Sequence, residues 1–150
     1  MATITAAAGS RTTLTTTALN SLASATYVSA GTIDVNATDP LDVVIEVEIT
    51  PGTVAGNKQA VVFLKTSMDG TNYSTGPESG TGANDEPNLR FLGALPLNTN
   101  ATQQRGAFSV MAAIGFVPPY MKVVIKNDTG AALAASGNSV YFTQFTGVSA

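Results

Sequence analysis

The chain contains no cysteine, no histidine and no tryptophan. Without cysteine there is no disulfide framework, no thiolate nucleophile and no thiolate zinc site. Without histidine there is no imidazole to act as general base in a Ser–His or Cys–His pair, and no imidazole metal ligand. Charge is also scarce: 11% of residues are charged, against about a quarter in an ordinary globular domain. The seven basic residues, Arg11, Lys58, Lys65, Arg90, Arg105, Lys122 and Lys126, are scattered, and the net charge is −3. Nucleic-acid binders cluster Lys and Arg to release counterions from phosphates, so no direct nucleic-acid partner is expected. Long hydrophobic runs are missing as well. The longest, Ala107 to Val117, is interrupted by Ser109 and Gly115 and is too short to span a bilayer. The first residues lack the basic and then apolar segments of a secretory signal. The expectation is a soluble protein synthesised in a cytoplasm, with no membrane partner.

What the chain has instead is Thr, Ser, Asn, Gly and Ala. A surface made of such residues is cheaper to desolvate than one of Lys and Glu, and suits lasting protein contact. At 150 residues a single domain is expected. From Leu41 the alternation is clear: Val43, Ile45, Val47 and Ile49 fall on one face, Asp42, Glu46, Glu48 and Thr50 on the other. Side chains alternate across a strand, so this period of two predicts a strand with one buried and one wet face. Gln59 to Ser67 reads as the next strand, ended by Asp69-Gly70, a dipeptide suited to a tight turn. Tyr120 to Lys126 repeats the alternation, with Met121, Val123 and Ile125 inward and Tyr120, Lys122 and Lys126 outward.

Between these lie weaker strand signals. Ala25–Ser29 and Thr32–Asn36 read as two short strands about an Ala30-Gly31 turn. Arg90–Pro96 and Ser139–Thr146 read as strands, and Arg105–Val117 as a strand rather than a helix. Asn127–Gly130 reads as a turn and Ala131–Asn138 as a small-residue link. Short strands separated by turn signals, with hardly any helical period, predict an all-β fold: an antiparallel two-sheet β-sandwich, jelly-roll-like. Residues 1–24, rich in Thr and Ala, are expected to form an extended N-terminal arm, and residues 25–150 the β-sandwich domain. Ile4, Leu14, Leu19 and Leu22 would be needlessly exposed on a free arm, which suggests that it orders on a neighbouring subunit. The polar stretch Ser74–Asn88 is longer than most loops in compact domains and is expected to project.

Chemistry is thinly represented. Glu46 and Glu48 lie on the wet face of a predicted strand, and Asp85-Glu86 in the long loop have no evident carboxylate partner across a cleft, as a glycosidase would need. No enzyme is expected, and no cofactor. Asp34, Asn36 and Asp39, and likewise Asp69 and Asn72, offer oxygens at short spacing, but neither set matches the twelve-residue calcium loop with its closing Glu. Turn-forming Asx residues explain both. Asn-x-Ser/Thr sequons at Asn36, Asn72, Asn100 and Asn127 are what an Asn- and Thr-rich chain produces by chance. Sugar-binding sandwiches present aromatic platforms, which here could only come from Tyr27, Tyr73, Tyr120 and Tyr141 among the tyrosines.

Two segments carry a resemblance. Ser67-Met68-Asp69-Gly70-Thr71-Asn72-Tyr73 resembles the S-x-D-G-T-N-Y hairpin of small β-sandwich virion proteins encoded by tailed bacteriophages. The run from Pro119 to Leu133, in which a strand enters an Asn127-Asp128-Thr129-Gly130 turn, resembles their later strand–turn segment. The resemblance implies a virion structural protein, first of all a capsid decoration (cement) protein on the outer capsid surface. Such a protein binds the major capsid protein as a homo-oligomer and clamps its lattice. Ile4, Arg11, Leu14 and Leu19 are then the candidate partner-binding residues of the arm. The alternative is a head-fibre or tail-associated module whose projecting loop, with Asp85, Glu86 and Asn88, contacts host surface glycans.

Overall fold

The structure, a computed structural model, describes residues 3–56 and 58–149. Met1, Ala2, Asn57 and Ala150, which fall within the arm, the loop after Thr50 and the domain expected above, lie outside the described residues. The strands in chain order are β1 (Ile4–Ala8), β2 (Thr12–Thr15), β3 (Tyr27–Asp34), β4 (Asp42–Ile49), β5 (Gln59–Ser67), β6 (Ser79–Gly80), β7 (Arg90–Pro96), β8 (Gln104–Ser109), β9 (Tyr120–Asp128) and β10 (Ser139–Ser149). A 3-10 turn spans Glu86–Asn88, and one short helix, α1, spans Val110–Ile114. Two antiparallel five-stranded sheets result. The first runs β1-β10-β4-β8, with β2 also on β10, and the second runs β6-β3-β9-β5-β7. Sequence-adjacent strands mostly sit in opposite sheets, as in a jelly roll.

The alternation of β4 does what its period requires. Val43, Ile45, Val47 and Ile49 are fully buried between the sheets, facing Val62, Leu64, Met121, Val123 and Ile125 of the second sheet. Each such side chain contributes roughly 1.5–3 kcal/mol of burial. The second sheet also has a small apolar cluster on its outer face, formed by Tyr27, Val61, Phe63, Leu89 and Val124.

Four expectations are corrected here. The segment expected as an extended arm docks on its own chain: β1 pairs with residues 145–149 of β10, and β2 with residues 140–142. Leu19 is fully buried in the main core, and Leu14 packs against it. The reason is that Gly31 bears no side chain: a Cβ there would meet Leu14 Cδ1 at 2.8 Å. Second, Ala25–Ser29 and Thr32–Asn36 do not flank a turn. They contribute to one strand, β3, whose register shifts between Ser29 and Gly31, with Gly31 at φ +138°. A β-bulge there absorbs the extra residue without breaking the pairing with β9. Third, Arg105–Val117 is not one strand. β8 ends at Ser109, whose hydroxyl accepts from Ala112 N and caps α1, while Gly115 closes it in the left-handed region at φ +82°. Serine at the N-cap and glycine just past the end are the usual punctuation of a helix. Fourth, the stretch 74–88 does not project. It is fastened to the second sheet: β6 pairs with β3 at the sheet edge, and Glu78 and Glu86 pair with Lys65, Lys122 and Lys126 on its outer face.

Candidate interaction surfaces

The outer face of the first sheet is where alternation places Glu46 and Glu48. Across the ladder, Glu46 pairs with Tyr141 and Ala107, and Glu48 with Ser139 and Arg105. Arg11, just before β2, reaches over this face. Its Nη2 donates to Glu46 Oε1 at 2.5 Å and to Glu48 Oε1 at 2.7 Å, and Nε donates to Glu46 Oε2 at 3.1 Å. Its guanidinium carbon stands 3.4 Å from the centroid of the Tyr141 ring, a cation–π stack. Arg105 Nη2 approaches Glu48 Oε1 at 3.1 Å from the other side. Donation to Glu46, with Glu48 adding to it, holds the Arg11 guanidinium above its ordinary value despite some desolvation. Arg11, expected to touch a partner, is thus engaged within its own chain, and Glu48 is buried rather than wet.

A second set of ion pairs fastens the long loop. Lys65, buried on β5, donates to Glu78 Oε1 at 2.6 Å and to the Gly76 carbonyl at 3.2 Å, and Lys122 stands 3.3 Å from Glu78. Glu86 accepts from Lys126 Nζ at 2.8 Å and from the Tyr27 hydroxyl. These bonds set the charges: Lys65 first holds Glu78 below its ordinary value, and Lys126 first holds Glu86 below its own. Lys126 is raised in return, chiefly by Glu86. Burial, and then Glu86, pushes Tyr27 up. Of the three loop residues expected to project, Glu86 is therefore turned onto the sheet. Asp85 and Asn88 stay exposed, with Asn88 Nδ2 donating to Thr75 Oγ1 at 2.9 Å.

The tyrosines are similarly occupied. Tyr27 is buried, Tyr73 lies under Lys122 and Tyr141 under Arg11, and the Tyr120 ring packs over Gly70. Asp69 accepts from the backbone of Asn72 and Thr71, the Asn72 amide and the Ser67 hydroxyl, and these bonds, Asn72 foremost, hold its carboxyl far below the usual range. Asp34 accepts from Asn36 N. Both are Asx turns. Among the described residues no group of three or more carboxylates could hold a metal ion.

Among the described residues, one end of the first sheet carries a surface that the chain leaves uncovered. Beyond Phe145, β10 has lost β4 as a neighbour, because that pairing ends at Phe145–Asp42, yet it continues beside β1 to Ser149. The two chain ends thus form a two-stranded ribbon extending past the rest of the sheet. It carries no charged side chain. Ile4 is 71% exposed and Val148 43% exposed, while Leu41, exposed beside it, lies over Gly147. A two-stranded ribbon is marginal in water by itself, and this one adds apolar side chains to its exposed faces. Ile4 is the one arm candidate placed on it; Leu14 and Leu19 serve the core and Arg11 the ionic face. Strand alternation could not reveal the ribbon, because the partner of Ile4 is Ser149, at the far end of the chain.

Compared with protein-family models, with curated proteins and with solved structures, the chain gives no match in any of the three.

Proposed function

We propose that this chain is a non-enzymatic virion structural protein of tailed bacteriophages, a capsid decoration (cement) protein that docks on the major capsid protein lattice at the head exterior. The observation that carries the reading is the ribbon of β1 and the end of β10: uncharged, apolar, and extending past the sandwich with free strand edges. Free edges let backbone hydrogen bonds carry affinity with little demand on the partner's sequence. The rest of the chain supports the same reading. Five of its seven basic residues, Arg11, Lys65, Arg105, Lys122 and Lys126, are engaged in ion pairs that hold the fold, which suits a clamp that must not deform. The fibre alternative draws less from the geometry, because the loop meant to meet a glycan is fastened to the second sheet at Glu78 and Glu86.

The test is co-sedimentation of the purified protein with mature, tail-free heads lacking it, counting bound copies per head. Saturation at a number matching the icosahedral lattice is expected, with binding lost in the Ile4→Asp/Val148→Asp variant. Binding to tails alone, or to neither, would overturn the reading.

A further inference from the structure

Two strands end their sheets on the same side of the sandwich, β7 and β8, and they differ in how their edges are guarded. β7 carries a register shift against β5 and closes on Pro96; bulges and prolines are devices that discourage another strand from adding. β8 reads Gln104-Arg105-Gly106-Ala107-Phe108-Ser109, without proline or lysine, and its ladder to β4 is regular throughout. Its centre, Gly106-Ala107, is the smallest pair on the edge and lines a shallow depression with Glu46 and Arg105.

The charges on this edge are arranged head and tail. At one end Arg105 has 64% of its side chain exposed and engages Glu48 through Nη2. At the other end the Asp42 carboxylate crosses from β4 to sit on Ser109, accepting from its hydroxyl at 2.5 Å and from Met111 N at 2.9 Å. A strand with a cation at one end and a carboxylate at the other is complementary to an antiparallel copy of itself.

We propose that β8 is the dimerisation edge of this protein, pairing antiparallel with β8 of a second copy about a two-fold axis through Ala107. In that register each Arg105 lies opposite Ser109 of the other copy, within reach of the carboxylate seated there. Each Phe108 lies opposite Gly106 on the inward face, where the ring stays packed over Gly93 and Gly106 of its own chain, and Ala107 faces its own copy. The two first sheets become one continuous sheet, which removes an unguarded edge from solvent. The ribbon is at the opposite edge of each first sheet, so the dimer presents two ribbons facing outward. This assembly does not depend on the head-lattice reading, since it forms in the absence of any capsid.

The absence of cysteine makes the test direct. Cα atoms of facing residues in an antiparallel pair are about 4.5–5.5 Å apart, inside disulfide range. Under mild oxidation Ala107→Cys is expected to give a covalent dimer in high yield, while Ala83→Cys, in an exposed loop, stays largely monomeric. Sedimentation equilibrium of the unmodified protein should show a dimer. Ala107→Lys, which sets two ammonium groups face to face on an exposed position, should weaken that dimer at least tenfold without changing the circular dichroism. A monomeric unmodified protein, or a dimer indifferent to Ala107→Lys with no excess cross-linking at position 107, would overturn the proposal. Loss of capsid binding with the dimer intact would count against the head-lattice reading alone.

Discussion

Glu48 and Arg11 meet at 2.7 Å on the strand face that alternation assigns to water, and the Glu48 side chain there is only 8% exposed, with Arg105 on its other side. A buried carboxylate is tolerated when its charge is paired and its lone pairs are filled. Glu48 is therefore a fixed point, tying the N-terminal segment to β4 and β8 rather than decorating a solvated surface. Arg11→Ala is expected to lower the urea midpoint, and more so at low salt than at high salt, because the exposed half of the pair is screened. A midpoint independent of salt would show that Arg11 acts by packing on Tyr141 alone.

The same segment is tested by its apolar members. Leu19→Ala should cost about 2–5 kcal/mol, as for other fully buried leucines, read from urea unfolding. Ile4→Asp, on the exposed ribbon, should change stability by no more than about 0.5 kcal/mol. Equal costs at the two positions would contradict the division of labour between core and ribbon.

Gly93 on β7 marks the closest approach of the two sheet edges. A Cβ there would stand 2.4 Å from Phe108 Cδ1 on β8. Gly93→Ala should therefore overpack the site and cost about 1–3 kcal/mol, visible as a lowered melting midpoint. A neutral result would mean that Phe108 swings away freely.

Asn127 is fully buried and gives its amide to the carbonyls of Leu22 and Ala131, while its oxygen accepts from Thr129 N and Oγ1. Asn127→Ala removes all four at once. Each group left unsatisfied costs about 1–3 kcal/mol, so the variant should be among the least stable, with early amide exchange at Thr129, whose N–H the Asn127 oxygen accepts. Exchange there unchanged from the parent would refute the assignment.

The loop latch makes stability depend on pH. Glu78 and Glu86 have folded-state values below their ordinary 4.5, so the unfolded chain binds more protons through that range. Their contribution is present above about pH 4.5 and is lost as pH falls through the lowered values. Lys126 and Tyr27 are raised above their ordinary 10.5 and 10.0. Their contribution is present below those values and is lost as pH rises beyond them. Denaturant midpoints across pH should thus show a plateau with falls at both ends, and Glu86→Gln should shrink both falls. An unchanged acid limb in that variant would assign that limb to Glu78 and to Asp69, whose carboxyl is also held low.

How far the sequence could be read follows from the range of each signal. The β4 and β9 alternations depend only on neighbours two residues apart, and they were sufficient for those two strands and their inward faces; the two-sheet class followed from the succession of short strands and turn signals. The Asx turns at Asp34 and Asp69 are equally local, since each carboxylate bonds within three residues. The helix at Val110–Ile114 was legible in its Ser109 and Gly115 punctuation, yet Phe108, Val110 and Phe116 read just as well as strand.

What composition and period determined, then, is a cysteine-free, weakly charged, all-β chain with known inward faces. Only the tertiary structure decided that the N-terminal segment returns to its own core, that the long loop is latched rather than projecting, and that Arg11, Glu48 and Glu86 are structural. For those three charged residues the partners lie 35 or more residues away: Arg11 and Glu46 are 35 apart, Arg11 and Glu48 37, Glu86 and Lys126 40, Tyr27 and Glu86 59. Strand alternation says which side of a sheet a residue takes. It carries no information on which distant strand is laid beside it, and that choice determines whether a charge or an apolar side chain on that side meets water or a partner.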